Sequence, residues 1–413
     1  MHRLLPLALA VLLVAAACGD DADSASDPTT TTTTSGITTT TTAGSTTTVA
    51  AETTTTTTTE APKDELVDVG RGEYDVGVAT ITVTDAVRER PLTVDVWFPL
   101  APDTTGDPHR YTLTPNDYYE SPLAIGADAA SLAPDGPFPL VIYSHGSGGI
   151  RFVDSDYTET IASHGYIVAA ADHTGNTAVE RITGSSDPGT VIALNRVQDV
   201  SLLIDAMVDP THETAGVFAA SVDGEHIAVT GHSFGGFTTY AVVSGYENVE
   251  GTAPADERVD AIIPLAPATG SGEPDATLLT DDDLARVDVP ALVIVGTDDK
   301  TTPVDPNVER AWDLTASAPS YRLELVAAEH QSFTDLCDYL DFFDELTQPT
   351  AIVVETVETL AEEGCSEGDM ALDRVQELTN TFAITFLESV FAGSPMILPE
   401  THEIPADVLY QVK

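Results

Sequence analysis

The hexapeptide GHSFGG at residues 231–236 has the residue types and spacing of a serine nucleophile on a tight turn. Ser233 lies between glycines, after an apolar run at residues 227–230 that predicts a buried strand and before a stretch, residues 237–244, that predicts a helix. Only glycine tolerates the crowding on either side of so sharp a strand-to-helix turn. The turn pushes the Ser233 hydroxyl away from the backbone, beside the positive end of the helix. A serine among small residues also occurs in ordinary turns, so the context decides the interpretation.

A base and an acid follow Ser233 in the order that nucleophilic catalysis on such a turn requires. A serine hydroxyl is a poor nucleophile until a base takes its proton, and a carboxylate must hold that base in the correct tautomer. His330 follows one late apolar strand of the chain, and Asp298 and Asp299 follow another. In open α/β sheets ligands bind at the carboxyl ends of the strands, where these residues are predicted to lie. The alternatives are a turn with two solvated aspartates and a histidine that belongs to the core or the surface.

Two backbone amides are candidates for holding the oxyanion that acyl transfer creates. One is the N–H of Phe234, the residue after the nucleophile. The other lies in the sequence HGSGG at residues 145–149, here called the HGSGG loop, where glycines let the backbone approach a substrate. Within this loop we choose the N–H of Ser147. The Ser147 hydroxyl resembles a second nucleophile, but no sharp glycine turn surrounds it.

The elements that must position these residues alternate between strands and helices. Alternating apolar and polar residues at 77–84 and 92–98 predict two antiparallel strands. Buried strands are predicted at residues 137–144, 166–171, 227–230, 259–265, 291–295 and 322–327. Helices are predicted at residues 157–164, 192–208, 333–346, 350–363 and 370–392. The pattern predicts an α/β fold, with a mostly parallel central sheet, helices on both of its faces and a helical C-terminal part.

Two segments and three aromatic residues are candidates for shaping a substrate cleft. Residues 111–134 and 251–258 have no clear periodicity, and we expect irregular loops there. Phe152, Phe237 and Phe333 are candidate substrate-binding residues of an acyl pocket. The alternative is that some of these phenylalanines are ordinary core residues.

Other charged and imidazole side chains lie close to these motifs. His145, His173 and His232 could suggest a metal site, but their positions inside loop motifs indicate structural hydrogen bonding. We therefore expect no metal ion and no other cofactor. Arg196 and Asp199 lie three residues apart on a predicted helix and are expected to form an ion pair.

The first 62 residues have the composition of an export signal followed by a tether. Residues 1–17 combine a short basic start with an apolar stretch too short to span a bilayer, which predicts a secretory signal peptide. Cys18 follows in a context similar to a bacterial lipobox, which implies lipidation; plain signal-peptidase cleavage is the alternative. Residues 18–62 predict a disordered threonine-rich linker, and residues 63–413 predict one catalytic domain. The predicted location is the cell surface as a lipoprotein, or outside the cell if Cys18 is not lipidated.

The net charge of −51 and the scarcity of lysine exclude some classes of partner. The chain has no basic cluster, so we expect no nucleic-acid partner and membrane contact only through a lipid on Cys18. Highly anionic substrates would be repelled unless salt screens the field. Cys337 and Cys365 are the remaining cysteines, and in an exported chain they predict a disulfide bond; two buried free thiols are the alternative.

Six ordered strings resemble the α/β-hydrolase superfamily, and within it the predicted dienelactone-hydrolase and platelet-activating-factor-acetylhydrolase group. The strings are VDVWFP (94–99), YSHGSGGIRF (143–152), ADHTGNT (171–177), NRVQD (195–199), GHSFGG (231–236) and EHQSFTDLC (329–337). The resemblance implies the α/β-hydrolase fold and hydrolysis of esters with short or modest acyl groups, without a metal ion. It also favours Asp299 over Asp298, because an acid four residues before a proline, here Pro303, is common in the acid loops of this superfamily.

One departure from the acetylhydrolase pattern concerns the acid. Acetylhydrolases of the platelet-activating-factor type carry it after the strand that follows the nucleophile, where this chain has IIPLAP (262–267) and no carboxylate. Asp299 follows the next strand, as in dienelactone hydrolases and polyester-cleaving, cutinase-like enzymes. The departure weakens the expectation of phospholipid substrates.

The sequence as a whole predicts a serine carboxylic-ester hydrolase that acts on a small-molecule or lipid ester. Ser233 is the predicted nucleophile, Asp299 the acid and His330 the base. The enzymatic alternatives are a lipase, a cutinase-like polyesterase and a platelet-activating-factor acetylhydrolase. A non-catalytic cell-surface binding protein that keeps the fold is the alternative of another class.

Overall fold

The computed structural model describes residues 64–66, 68–114, 117–270, 278–343, 351–394, 396 and 402–413. The predicted signal peptide (1–17), Cys18 and the predicted linker (18–62) lie outside the described residues. Residues 61–413 form one compact unit. Within the described part of the chain, none of the helices has both the length and the apolar character that crossing a bilayer requires.

The elements of the described chain follow the predicted alternation of strands and helices. The strands are β1 (Asp64–Glu65), β2 (Val76–Asp85), β3 (Arg90–Pro99), β4 (Pro108–Thr114), β5 (Asp117–Gly126), β6 (Phe138–Ser144), β7 (Ile167–Ala171), β8 (Val222–His232), β9 (Tyr246–Asn248), β10 (Gly251–Ala253), β11 (Ala261–Leu265), β12 (Ala291–Gly296), β13 (Ser320–Leu325), β14 (His402–Glu403) and β15 (Val408–Val412). The helices are α1 (Ser155–Ser163), α2 (Ala178–Thr183), α3 (Gly189–Val208), α4 (Phe234–Ser244), α5 (Asp281–Ala285), α6 (Glu309–Leu314), α7 (Leu336–Phe343), α8 (Ala351–Ala361) and α9 (Leu372–Phe391).

Among the described strands, eleven form one mixed sheet in the order β15-β13-β12-β11-β8-β6-β7-β3-β2-β5-β4. The six strands from β13 to β7 run parallel to one another. At one edge β15 is antiparallel to β13. On the other side β3 is antiparallel to β7 and β2 to β3, β5 is parallel to β2, and β4 is antiparallel to β5 at the edge. The parallel strands are apolar and almost wholly buried, as expected of strands covered by helices on both faces. Their carboxyl ends meet at one edge of the sheet, which is where the turns after β6, β8 and β12 emerge.

Two apolar layers cover the two faces of the sheet. Helices α3 and α4 pack on one face with residues such as Val197, Leu203 and Phe237. Helices α1 and α9 pack on the other, with residues such as Ile161 and Phe382. The predicted architecture of a mostly parallel sheet between helical layers, with a helical C-terminal part, is confirmed.

Two segments expected to be irregular contain regular structure instead. Residues 111–134 contribute most of the β4–β5 pair and a short 3-10 helix, and residues 251–258 begin with β10, which pairs with β9. The first expectation was wrong because the pairing of β4 with β5 has register shifts between Pro108 and Arg110 and between Thr112 and Thr114, and such irregularities break the alternation of polar and apolar residues. Tyr111 shows how this region attaches to the core: its hydroxyl accepts a hydrogen bond from Trp97 Nε1 (2.7 Å) and donates one to Glu159 (2.6 Å).

Candidate active site

Ser233 occupies the strained turn between β8 and α4. Its φ of 58° and ψ of −114° lie in a region that residues with a side chain rarely adopt. Its backbone N–H donates to the Leu265 carbonyl (2.9 Å), which ties the turn to the neighbouring strand. A Cβ placed on Gly231 or Gly235 would collide with the Ser144 carbonyl oxygen at the end of β6. The glycines are therefore required by close packing between two strand ends, as the sequence predicted.

His330 lies within hydrogen-bond distance of both Ser233 and Asp299. It begins a 3-10 turn (His330–Phe333) that follows β13. Its Nε2 is 2.9 Å from Ser233 Oγ, and its Nδ1 is 2.8 Å from Asp299 Oδ2. A carboxylate accepts, so Nδ1 carries the proton and Nε2 is free to accept from the serine hydroxyl. This is the protonation pattern that a general base needs.

Asp299, and not Asp298, faces the imidazole. Asp299 is buried after β12, and its carboxylate also accepts from the backbone N–H of Thr302 (2.6 Å) and from its hydroxyl (2.8 Å). Burial by itself would raise the pKa of Asp299, but these bonds and the one from His330 hold it below its ordinary value. Asp298 is exposed and accepts from the Thr297 hydroxyl (2.9 Å). The geometry therefore favours Asp299, as predicted.

His232 supports the loop that carries His330. Its Nε2–H donates to the His330 carbonyl (2.8 Å), and the two ring centres are 4.7 Å apart. Burial and the nearby His330 lower the pKa of His232 to about 3, so the ring stays neutral. In the described chain no group of three or more His, Cys, Asp or Glu side chains is arranged to hold a metal ion.

The HGSGG loop lies against the nucleophile turn. A Cβ placed on Gly146 would lie 3.4 Å from the Ser233 Cβ and 3.3 Å from His232 Nδ1. The Ser147 carbonyl accepts from Arg181 (3.2 Å), and its hydroxyl accepts from Asn176 Nδ2 (3.3 Å). The close approach of Gly146 supports a role for the Ser147 and Phe234 amides in holding an oxyanion, which stays a prediction.

The three phenylalanines chosen as substrate-binding residues are buried. Phe152 stacks on Tyr111 with ring centres 4.9 Å apart, and Phe237 packs inside the core against Phe234 and Tyr246. Phe333 is buried at the end of the 3-10 turn that carries His330. The positions of Phe152 and Phe237 are those of core residues, and a contact with substrate stays a prediction for all three.

The expected ion pair between Arg196 and Asp199 is absent, because their side chains leave α3 toward different partners. Asp199 forms ion pairs with Arg88 and Arg90 (both 2.9 Å) and accepts from His173 Nδ1 (3.0 Å). Arg196 has no carboxylate of the described residues within ion-pair distance and binds polar groups around the HGSGG loop. Spacing of three residues on a helix allowed a pair but did not require one.

A second hydroxyl–imidazole–carboxylate arrangement, which the sequence reading missed, lies beneath the HGSGG loop. Ser144 Oγ is 2.9 Å from His173 Nε2, and His173 Nδ1 donates to Asp199. We call these three residues the buried relay, because each is at most 1% exposed. Burial and the cation Arg196 lower the pKa of His173 to about 4, so its ring stays neutral. No substrate reaches Ser144, and the arrangement is structural.

The predicted disulfide between Cys337 and Cys365 is present. It lies beside a segment, residues 363–365, that contacts the loops of both His330 and Asp299. The Glu363 carbonyl accepts from the Gln331 N–H (2.6 Å), and the Glu363 carboxylate accepts from the Thr301 hydroxyl (2.5 Å). The disulfide thus restrains the segment that contacts the loops of His330 and Asp299.

Two comparisons with known proteins show what this chain is similar to. Residues 113–190 match the family described as platelet-activating factor acetylhydrolase, isoform II. A ferulic acid esterase from Streptomyces cinnamoneus has a similar structure, with a TM-score of 0.59 and 23% identity, over 85% of this chain and 100% of that one. The structural similarity shows that the chain has the α/β-hydrolase fold, as its sequence predicted. The family match includes the HGSGG loop and His173 and ends before Ser233.

Proposed function

We propose that this chain is a serine hydrolase of carboxylic esters, with Ser233 as nucleophile, His330 as base and Asp299 as acid. The observation that carries the proposal is the unbroken line of hydrogen bonds through these three side chains, of 2.9 Å and 2.8 Å. The family that matches residues 113–190 is named for an acetylhydrolase and the similar structure for an esterase, which supports the same reaction.

The reaction proceeds through an acyl-enzyme. Ser233 Oγ attacks the ester carbonyl carbon while its proton moves to His330 Nε2, and the amides of Ser147 and Phe234 hold the resulting oxyanion. The intermediate collapses, the ester C–O bond breaks, and the imidazolium gives its proton to the leaving alkoxide. A water molecule then gives a proton to His330 and attacks the carbonyl carbon of the acyl-enzyme. This second intermediate collapses, the bond between that carbon and Ser233 Oγ breaks, and the imidazolium returns its proton to Ser233 Oγ as the carboxylic acid leaves. Asp299 stabilises the imidazolium in both steps.

Loss of the nucleophile tests this reaction directly. Ser233→Ala should abolish turnover of p-nitrophenyl acetate and butyrate and labelling by a fluorophosphonate probe, because both need the same oxygen. Ser394→Ala removes an exposed serine after α9 and should change neither. Unchanged turnover in Ser233→Ala would refute the assignment. A wild-type chain that is folded, unlabelled and inactive would favour the non-catalytic binding protein.

The acyl group is proposed to be small or modest in size. The name of the matched family supports an acetyl-sized group, and the name of the similar structure supports esters of ferulic acid as a second candidate. A series of p-nitrophenyl acetate, butyrate and octanoate together with methyl ferulate separates them by kcat/KM. A maximum at octanoate would instead favour the lipase or polyesterase alternatives.

We also propose that the chain is exported and held at the cell surface by a lipid on Cys18. The apolar stretch before Cys18 supports export, and the Cys337–Cys365 bridge supports an oxidising compartment. Cys18→Ser should move the enzyme from the membrane fraction to the culture medium. If the wild type and Cys18→Ser are distributed in the same way between the membrane fraction and the culture medium, simple secretion describes the protein better.

A further inference from the structure

Arg196 is a buried cation whose partners are neutral polar groups of the HGSGG loop and of two residues beside it, Ser144 and Asn176. Its exposure is 0%, and its guanidinium donates to the carbonyls of His145 (2.5 Å, from Nη1) and Gly146 (2.9 Å, from Nη2). It also donates from Nε to Asn176 Oδ1 (3.0 Å) and from Nη1 to Ser144 Oγ (3.3 Å). Burying a charge that has no carboxylate within ion-pair distance is costly. The contacts on the loop therefore need an explanation.

The peptide unit that Arg196 holds is the one that ends in the Ser147 amide. The carbonyl of Gly146 and the N–H of Ser147 belong to the same planar trans peptide, so they point in opposite directions. A donor fixed on the carbonyl oxygen therefore fixes the direction of the N–H. A cationic donor also polarises the peptide and strengthens the hydrogen bond that its N–H can give.

The buried relay adds a second donor on the same carbonyl. The backbone N–H of His173 donates to His145 Nε2 (3.2 Å), which leaves the proton of the neutral His145 ring on Nδ1. That Nδ1–H then donates to the Gly146 carbonyl (2.7 Å). Arg196 Nη2 lies 3.0 Å from the same Nδ1 and, because Nδ1 carries a proton, donates to the Gly146 carbonyl and not to the ring. His173 is itself held by Asp199 and by Ser144. Both donors on the Gly146 carbonyl are thus fixed from the core.

We infer that Arg196 is a positioning residue that aims the Ser147 amide at the oxyanion, with the buried relay holding the loop from below. This inference rests on the proposed function. The oxyanion exists in the transition state and not in the bound ester, so loss of Arg196 lowers kcat and leaves KM nearly unchanged. Since removing an oxyanion donor costs about 100- to 1,000-fold in kcat, misaiming one costs about 10- to 100-fold.

The test compares three purified full-length variants with the wild type on p-nitrophenyl butyrate. Arg196→Met removes the charge and keeps the length of the side chain. Arg196→Lys keeps the charge but cannot reach both carbonyls with one ammonium. Arg322→Met is the matched control, because Arg322 is also buried (4% exposed) but pairs with Glu324 (2.6 Å). We expect kcat to fall about 10- to 100-fold in both Arg196 variants and by less than twofold in the control.

A trifluoromethyl ketone inhibitor separates positioning from general damage to the fold. Its hemiketal with Ser233 carries the same oxyanion, so its Ki should rise in Arg196→Met by the factor by which kcat/KM falls. The inference would be overturned if Arg196→Lys and a folded Arg196→Met both had the kcat of the wild type. An unchanged Ki for the inhibitor in Arg196→Met would also overturn it. If Arg196→Met does not fold, the kinetics of Arg196→Lys decide. Activity retained in Ser233→Ala would refute the proposed function. Activity lost in Ser233→Ala but unchanged in both Arg196 variants would refute only the inference about Arg196.

Discussion

Removing the Cys337–Cys365 bridge should lower the melting temperature by a predictable amount. The bridge joins positions 28 residues apart. In the chain-entropy model, closing a loop of that length in the unfolded chain stabilises the fold by about 3–4 kcal/mol. A folded unit of about 350 residues unfolds with an entropy of about 0.7 kcal/mol/K, so the change corresponds to about 5 °C in Tm. The double variant C337A/C365A should therefore melt about 5 °C below the wild type.

The same variant should lose activity before it loses its fold. The 363–365 segment forms hydrogen bonds with the backbone of Gln331, the residue after His330, and with the side chain of Thr301, two residues after Asp299. Without the bridge this segment is restrained only by weaker contacts, so the distance from His330 to Ser233 should fluctuate more. We expect kcat to fall several-fold at temperatures well below Tm.

Scanning calorimetry and esterase assays on the full-length chain check both effects. Reductant should lower the Tm of the wild type to that of C337A/C365A and should not change the variant further. Cys18→Ala is the matched control and should melt like the wild type. The reasoning is refuted if the double variant melts within about 1 °C of a wild type whose bridge is verified by mass spectrometry.

Three further predictions concern the acid, the nucleophile turn and the pH dependence of stability. Asp299→Asn should lower kcat about 1,000- to 10,000-fold and Asp298→Asn less than tenfold; equal losses in a steady-state assay would contradict the assignment of the acid. Gly235→Ala should prevent soluble expression or lower the unfolding free energy by several kcal/mol, because its Cβ collides with the Ser144 carbonyl. A Cβ on Gly189 meets nothing within 4 Å, so Gly189→Ala should leave the unfolding free energy measured in urea nearly unchanged. Burial raises the pKa of Glu159 from 4.5 to about 7, so the folded chain binds this proton more tightly, and the free energy of unfolding should fall by about 3 kcal/mol as pH rises from 4.5 to 7. Glu159→Gln should remove that decline. If the unfolding free energy, measured by urea titration at each pH, changes with pH in the same way in Glu159→Gln and the wild type, Glu159 is ionised in the fold and the reasoning fails.

The parts of the molecule that could be predicted from sequence are those with strong local patterns. The apolar runs before Ser144 and Ser233 lie in strands where they were expected, because parallel strands buried on both faces need apolar residues. The strand before His330 was also expected, although Arg322 and Glu324 interrupt its apolar residues and pair with each other. The glycines around Ser233 were informative because close packing with β6 excludes a Cβ. Asp299 was preferred to Asp298 because of its spacing to Pro303, and the structure agrees: Asp299 faces His330, whereas Asp298 accepts from Thr297.

The parts that could not be predicted depend on residues far apart in the chain. The buried relay takes its members from β6, the loop after β7 and α3, and no local pattern links them. Arg196 and Asp199 have the spacing of an ion pair, but Arg88 and Arg90 from the β2–β3 region occupy the carboxylate. The β4–β5 pair was missed because two register shifts in its pairing interrupt the alternation that predicts a strand.

The buried relay repeats, within one molecule, the atom order of the proposed catalytic triad. A geometric template that compares only hydroxyl, imidazole and carboxylate spacing would accept Ser144, His173 and Asp199 as readily as Ser233, His330 and Asp299. A serine-directed reagent in solution distinguishes the two serines, because Ser144 is fully buried and Ser233 is partly exposed to solvent. Similar atoms can thus serve reactivity or architecture in one chain, and accessibility to solvent decides which.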